Sequence, residues 1–279
     1  MKLQNPSAPL HAASGVQHDL NGELTRYYDE MFRSDIHEEM FAGSGYSNWG
    51  YWYADTRTPQ QASAQLLERL LSCAPRTGSV LDVACGGGGI TAQLARTFDE
   101  VTAINVSPYQ VARTRERVPT CRALQMDATR LNFPDASFDV LVCVEAAFHF
   151  RSKARFVAEA RRVLRPNGWL VMSDAIFAAP PSSYALSLLP SLPPTLLPHA
   201  NEWNLPAYRD FMEVIGFDVT LESAYAQAWK RFYAFEKAYC ERKAVVDAAR
   251  ARVYRDILAK DALIDSALCD YLLVRARKL

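Results

Sequence analysis

Residues 80–89 read Val-Leu-Asp-Val-Ala-Cys-Gly-Gly-Gly-Gly: a short apolar run with a carboxylate inside it, then four of the twelve glycines in the chain. Glycine loses more backbone freedom on folding than any other residue, so four in a row mark a place where something must approach the backbone closely. A strand, a glycine turn and a helical pattern over 90–97 form the opening unit of a nucleotide-binding type of α/β fold. There the turn admits a ligand and the helix N-terminus offers it N–H donors.

The alternation continues outward from this unit. Apolar runs at 80–84, 101–106, 121–126, 140–144 and 169–173 are separated by helical patterns at 90–97, 108–117 and 151–164. Repeated strand–helix–strand units predict a parallel sheet with helices on both faces. Pro166-Asn167-Gly168 predicts the turn that stops the third of these helices and launches the fifth strand. Beyond it the pattern predicts a helix over 204–215, a strand over 217–222, long helices within 226–265 and a terminal strand over 270–276.

Upstream, residues 1–15 are polar and rich in Pro, Ala and Ser, and are expected to be mobile. Residues 18–42 read as helical, with Leu20, Leu24, Tyr27, Tyr28, Met31 and Phe32 at helical spacing. Residues 43–53 are aromatic, glycine-punctuated and non-periodic, and read as a loop. Pro59 starts a helix whose buried stripe is Ala62, Leu66, Leu67, Leu70 and Leu71. Seven of the fifteen prolines fall in 180–206, which reads as a flap over a site. One domain over 1–279 is expected: an N-terminal helical lid (18–72), a core (73–178), flap and helix (179–215), and two last strands with a helical insertion (216–279).

Composition sets limits on function. The 279 residues are 49% hydrophobic and 22% charged, with 31 basic and 31 acidic side chains. Zero net charge without long charge runs argues against a nucleic-acid partner held by bulk electrostatics. No long uncharged apolar run predicts stable membrane insertion, and no apolar leader precedes the lid, so a cytoplasmic protein is expected. The six cysteines are scattered and form no Cys-x-x-Cys, so neither a metal site nor a disulfide framework is expected.

The glycine turn restricts the ligand. Gly87-x-Gly89-x-x-Ala92 formally fits a dinucleotide fingerprint. Asp82, however, would repel a pyrophosphate and suits a cationic ligand. Asn105 also stands at the end of the second strand, where an acidic ribose ligand is expected for a nicotinamide cofactor.

In combination these motifs resemble the class I S-adenosylmethionine-dependent methyltransferases. Residues 80–88 are similar to the family's first motif, and Val101-Thr-Ala-Ile-Asn-Val-Ser-Pro-Tyr-Gln to its second. Gln125-Met-Asp-Ala and Phe133-Pro-Asp-Ala-Ser-Phe-Asp are similar to its third and fourth, and Arg162-Val-Leu-Arg-Pro-Asn-Gly to the segment before strand five. Ala84 and Asn105 depart from the commoner glycine and acidic residue. The likeness is strongest to enzymes of the ubiquinone/menaquinone and natural-product type, whose cofactor-covering loop resembles Tyr46-Ser-Asn-Trp-Gly-Tyr-Trp. It implies a Rossmann-like, doubly wound seven-stranded sheet, mostly parallel with an antiparallel last strand, plus helical lid segments. It implies S-adenosylmethionine as cofactor. Ala84, Cys85 and Gly86 would meet the methionyl part, Asn105 and Val106 the ribose, and Asp127 and Ala128 the adenine. Tyr46, Ser47, Asp82, Gln110 and Val144 complete the expected cofactor set.

Ligands of such sheets sit beyond the strand ends at the switch point. His149 lies just past strand four and is the candidate base, with Glu145 to orient it or the cofactor and His199, in the flap, in reserve. Tyr28, Trp49, Trp229, Phe232 and Tyr233 are the expected substrate-binding aromatics. The expected activity is methyl transfer to a hydroxyl of a hydrophobic small molecule or lipid-like natural product. N- or C-methylation, and a non-methylating cyclisation that keeps the cofactor, remain open, as does the oligomeric state, a homodimer included.

Overall fold

The computed structural model describes residues 20–177 and 203–279. The N-terminal tail, most of the proline-rich flap and His199 lie outside the described residues. Seven strands, β1 (Ser79–Val83), β2 (Glu100–Asn105), β3 (Arg122–Gln125), β4 (Phe138–Val144), β5 (Leu164–Phe177), β6 (Phe217–Ser223) and β7 (Leu268–Lys278), form one sheet in the order β3-β2-β1-β4-β5-β7-β6. Pairings from β3 through β5 are parallel, whereas β7 runs antiparallel to both neighbours. The chain winds outward from β1 to β3, then restarts at β4 on the other side of β1. The carboxyl ends of β1 and β4 therefore flank a crevice.

β1 is buried along its whole length, which is why its residues read as an unbroken apolar run with one carboxylate. Helices α1 (Leu20–Arg33), α2 (Asp35–Met40), α3 (Pro59–Leu70), α4 (Gly89–Leu94), α5 (Pro108–Arg117), α6 (Lys153–Val163), α7 (Leu205–Val214), α8 (Trp229–Val246) and α9 (Ala251–Ala267) surround the sheet. One core packs α3, the 46–52 loop, α8 and α9 on one face, and the other packs α6 and α7 on the opposite face. Start signals act where the sequence places them. Thr58 and Gln61 form a reciprocal capping box ahead of Pro59, and Ser107, Ser152 and Asn204 cap α5, α6 and α7.

Two readings change. The helical pattern over 18–42 breaks at Ser34, whose backbone is extended (φ −72°, ψ 127°), and this turns Ile36 and Met40 of α2 into the core. The Pro-Asn-Gly turn does not separate helix from strand. β5 already begins at Leu164, and Arg165–Gly168 bulge out between the pairs Phe138–Leu164 and Val140–Trp169, with Asn167 at φ +63°.

Behind the sheet ends lies a buried ion pair. Lys153 and Asp174 are both fully buried and in contact, Tyr208 donates to Asp174 Oδ2 at 2.9 Å, and the Lys153 ammonium sits 5.0 Å from the Tyr208 ring centre. Among the described residues no helix is long and apolar enough to cross a membrane.

Candidate active site

A cavity of about 580 Å³ opens at the strand ends and is walled by α1, α2, the 45–49 loop, α8 and α9. That volume is in the range of small-molecule sites. Every residue read as cofactor-binding borders it. Asp82, Ala84, Cys85 and Gly86 come from β1 and its turn, Asn105, Val106 and Gln110 from the β2–α5 junction, and Asp127 and Ala128 from beyond β3. Val144 comes from β4, and Tyr46 and Ser47 from the loop.

The glycine turn does admit a close approach, but part of it is to protein. Gly89 N–H donates to Gly45 O at 3.3 Å, and a Cβ on Gly89 would lie 2.8 Å from the Tyr46 nitrogen. Of the N–H groups at the start of α4, a helix of six residues, that of Gly89 serves the loop. Gly89→Ala should therefore push residues 45–46 outward. The expected cost is about 1–3 kcal/mol of stability, as for other overpacked sites, read by urea denaturation. A variant as stable as the parent would refute it.

Asp82 is 2% exposed and accepts a hydrogen bond from Thr91 Oγ1 at 2.6 Å. Burial raises its carboxyl from 3.8 to about 7, with Thr91 opposing the shift. A raised folded-state value means that this group's contribution to stability is full below pH 3.8 and is lost as pH rises through about 7. Asp82→Asn should flatten that part of the ligand-free stability curve. Melting temperatures of parent and variant that fall in parallel across the window would contradict this.

At the end of β2, Asn105 is held at both ends. Its Oδ1 accepts from Ser107 N–H at 2.9 Å, and its Nδ2 donates to Gln110 Oε1 at 2.9 Å. Ser107 Oγ and Gln110 Nε2 donate in turn to Asp29 Oδ1 at 2.6 and 2.9 Å. The acidic group missing from β2 is thus supplied to this network by α1. An amide still has one donor and one acceptor site in reserve here, which suits a ribose diol. Asp127 Oδ1 accepts from both N–H and Oγ1 of Thr129 at 2.8 Å, so the residue closes a turn as well as bordering the cavity. Asn48 borders the same cavity, and its buried Oδ1 has no hydrogen-bond partner among the described residues. A cofactor with amine, ribose hydroxyl and purine amine groups fits these donors and acceptors.

On the β4 side, a turn of tight helix (Ala147–His149) brings His149 into the wall, 8% exposed. Its Nε2 is 2.5 Å from the Tyr28 hydroxyl of α1. Burial, then Tyr27, push the Tyr28 phenol well above its ordinary range, so it stays protonated. Glu145, at φ +51°, borders the cavity and holds the loop: its carboxyl group accepts from Trp49 N–H at 2.8 Å and from Tyr271 OH at 2.6 Å. Burial raises this carboxyl to about 8 against those donors.

Of the expected substrate aromatics, Tyr28, Trp49 and Phe232 border the cavity, and Trp229 and Tyr233 do not. Trp229 is fully buried, with Nε1–H on Asp265 at 2.7 Å. It lies 4.5 Å from Trp49 and stacks on Tyr233. The cavity-facing residues of α8 are Phe232 and Glu236, one helical turn apart. The sequence reading missed Asp29, Asn48, Glu236, Lys260 and Asp261. Each is a polar residue that reads as a solvated helix face or loop unless the fold is known.

Residues 81–172 match the model of the methyltransferase domain. The 2-methyl-6-phytyl-1,4-hydroquinone methyltransferase of Synechocystis sp. (strain ATCC 27184 / PCC 6803 / Kazusa) is 44% identical over 108 residues, 37% of this chain and 34% of the relative. The 27-O-demethylrifamycin SV methyltransferase of Amycolatopsis mediterranei (strain S699) is 34% identical over 169 residues, 57% of this chain and 61% of the relative. These matches span less than two thirds of the relatives' own length. The crystal structure of the (4+2)-cyclase SpnF superposes with a TM-score of 0.70 at 20% identity, covering 92% of this chain and 96% of that one, which speaks to fold alone. The cradle and the sheet order agree with the match of residues 81–172 to the methyltransferase domain, and the chain is similar over that stretch to S-adenosylmethionine-dependent methyltransferases.

Proposed function

We infer that the protein transfers the methyl group of S-adenosylmethionine to a hydroxyl group of an apolar small molecule. The observation that carries the reading is the His149–Tyr28 pair in the wall of the cavity that the cofactor-type residues also border. When bound, the cofactor supplies an electrophilic methyl group on sulfonium. The chain supplies position, dryness and a proton acceptor. Asp82 offers a carboxyl to a cationic ligand, and the Asn105–Gln110–Asp29 network fixes the ribose end. The lid formed by α1 and the 45–49 loop, held by Glu145, excludes water. The substrate hydroxyl replaces the Tyr28 phenol at His149 Nε2, which takes the proton as the oxygen attacks. Apolar neighbours such as Met31, Phe148, Phe177 and Ile257 favour an apolar acceptor.

The test is incubation with methyl-labelled cofactor and a panel of alkylphenols, hydroquinones and aliphatic alcohols. Label in an ether product is expected. Label in amine or carbon-methylated products would replace hydroxyl transfer with those alternatives. Substrate conversion without label would favour the cyclisation reading and overturn this one.

A further inference from the structure

Asp29 does not border the cavity, yet it ends a chain of hydrogen bonds that begins in the cavity wall. Asn105 and Gln110 border the cavity and are both buried. A fixed order of polarities runs through them. The Ser107 N–H can only donate, so it takes Asn105 Oδ1 and turns Nδ2 toward Gln110, which answers with Oε1. Gln110 then has Nε2 left to give, and it meets Asp29 Oδ1 at 2.9 Å, an oxygen that only accepts. The Ser107 hydroxyl accepts from Gln110 N–H at 3.1 Å and donates to the same Oδ1 at 2.6 Å. An acceptor at Asp29 is therefore what makes every polarity in the chain agree.

The same carboxyl group belongs to the lid. One helical turn beyond Asp29, the Arg33 guanidinium sits 3.8 Å from the ring centre of Tyr109, so this face of α1 rests on the first turn of α5. A negative group also suits that helix N-terminus. Tyr28, the preceding residue, reaches the other side of the crevice and meets His149 at 2.5 Å. One turn of α1 thus bridges the amides after β2 and the candidate base after β4. Such bonds act in both directions. A ribose diol bonded to Asn105 and Gln110 holds their amides in the orientation that serves Asp29, and Asp29 holds them in the orientation that serves the diol. By linkage, the ligand tightens the lid as much as the lid tightens the ligand.

We propose that Asp29 is a positioning residue that couples ribose recognition to the seating of the α1 lid, by fixing the polarity of the Gln110 and Asn105 amides. It touches neither cofactor nor acceptor and acts through the two amides. The inference rests on the cofactor reading above, since it needs a ribose at Asn105.

The experiment uses the full chain and two readouts. Calorimetry gives the affinities for S-adenosylhomocysteine and for its 2′-deoxy and 3′-deoxy forms. Hydrogen exchange at saturating ligand gives the protection of α1, residues 20–33. In the parent the deoxy forms should bind about tenfold weaker, because a site built for a hydroxyl penalises its absence. S-adenosylhomocysteine should also slow exchange in α1. Asp29→Ala should remove most of the deoxy penalty and the ligand-induced protection of α1. Asp29→Asn keeps an oxygen able to accept both bonds and should retain most of both effects. Gln110→Glu sets a carboxylate against Asp29 and should lose them, and adding Asp29→Asn supplies that carboxylate with a donor and should recover them. A parent with no deoxy penalty, an Asp29→Ala variant that keeps the penalty and the α1 protection, or a double variant no better than Gln110→Glu would overturn the coupling. An Asp29→Ala variant that binds every ligand more weakly by the same factor would show a merely structural role and overturn it as well. Failure of the parent to bind S-adenosylhomocysteine at all would instead overturn the cofactor reading.

Discussion

His149→Ala is expected to lower kcat by about 10²–10⁴-fold, the usual contribution of a positioned general base. An aliphatic alcohol ionises far too weakly at neutral pH to attack without one. The geometry sets this residue apart from most of the cofactor-type residues: His149 comes from the turn after β4 and meets Tyr28 of the lid, whereas most of those residues come from β1, β2 and the segment after β3. S-adenosylhomocysteine affinity should therefore change little in the variant, and the loss should fall on kcat. Tyr28→Phe is the companion measurement. It removes the 2.5 Å contact but keeps the ring, so if the phenol only holds the imidazole until substrate arrives, turnover should fall far less than in His149→Ala. Full kcat in His149→Ala, with label still transferred, would show that the acceptor is already acidic or that another group takes the proton.

The largest stability effect is expected at Lys153. Its side chain and that of Asp174 are fully buried. Lys153→Met leaves the Asp174 carboxylate in the interior with Tyr208 as its remaining hydroxyl donor. Removing one partner of such a pair costs about 3–5 kcal/mol, because the other charge stays behind uncompensated. Urea denaturation monitored by tryptophan fluorescence would read the loss. The double replacement Lys153→Met with Asp174→Leu should recover part of it, since two apolar groups bury no charge. A single variant within about 0.5 kcal/mol of the parent, the range of ordinary surface changes, would contradict the account.

Most of the sheet was legible because parallel strands buried on both faces leave unbroken apolar runs, and β1, β2 and β4 lie within a residue or two of their expected ends. The cradle was legible for a related reason: a glycine turn, an amide and a carboxylate at successive strand ends are local features, and strand ends converge in this topology. The His149–Tyr28 contact was half legible. His149 announces itself by its place after β4, but Tyr28, expected only as a substrate-binding aromatic, lies more than a hundred residues away, and nothing in the sequence pairs the two. The aromatic wall was legible in part: Tyr28, Trp49 and Phe232 border the cavity, but Trp229 and Tyr233 do not, because α8 is aromatic on several faces. Spacing alone does not say that Phe232 rather than Trp229 turns to the cavity. Glu236, Lys260 and Asp261 were illegible, since charged residues on helices belong to solvent in most proteins and only the packing of α8 against α9 takes these inside.

The strand order bears on how the molecule is made. β7 lies between β5 and β6, and among the described residues β6 has no other strand beside it. During synthesis on a ribosome, β5 and β6 emerge well before Leu268–Lys278, so one edge of β5 stays open until that segment is out. An open edge is a template for another chain's backbone, and its late closure by a distant segment is slow. The nascent protein is therefore most exposed to intermolecular pairing just before synthesis of this stretch ends. A polypeptide truncated before Leu268 would keep that edge uncovered for its whole lifetime.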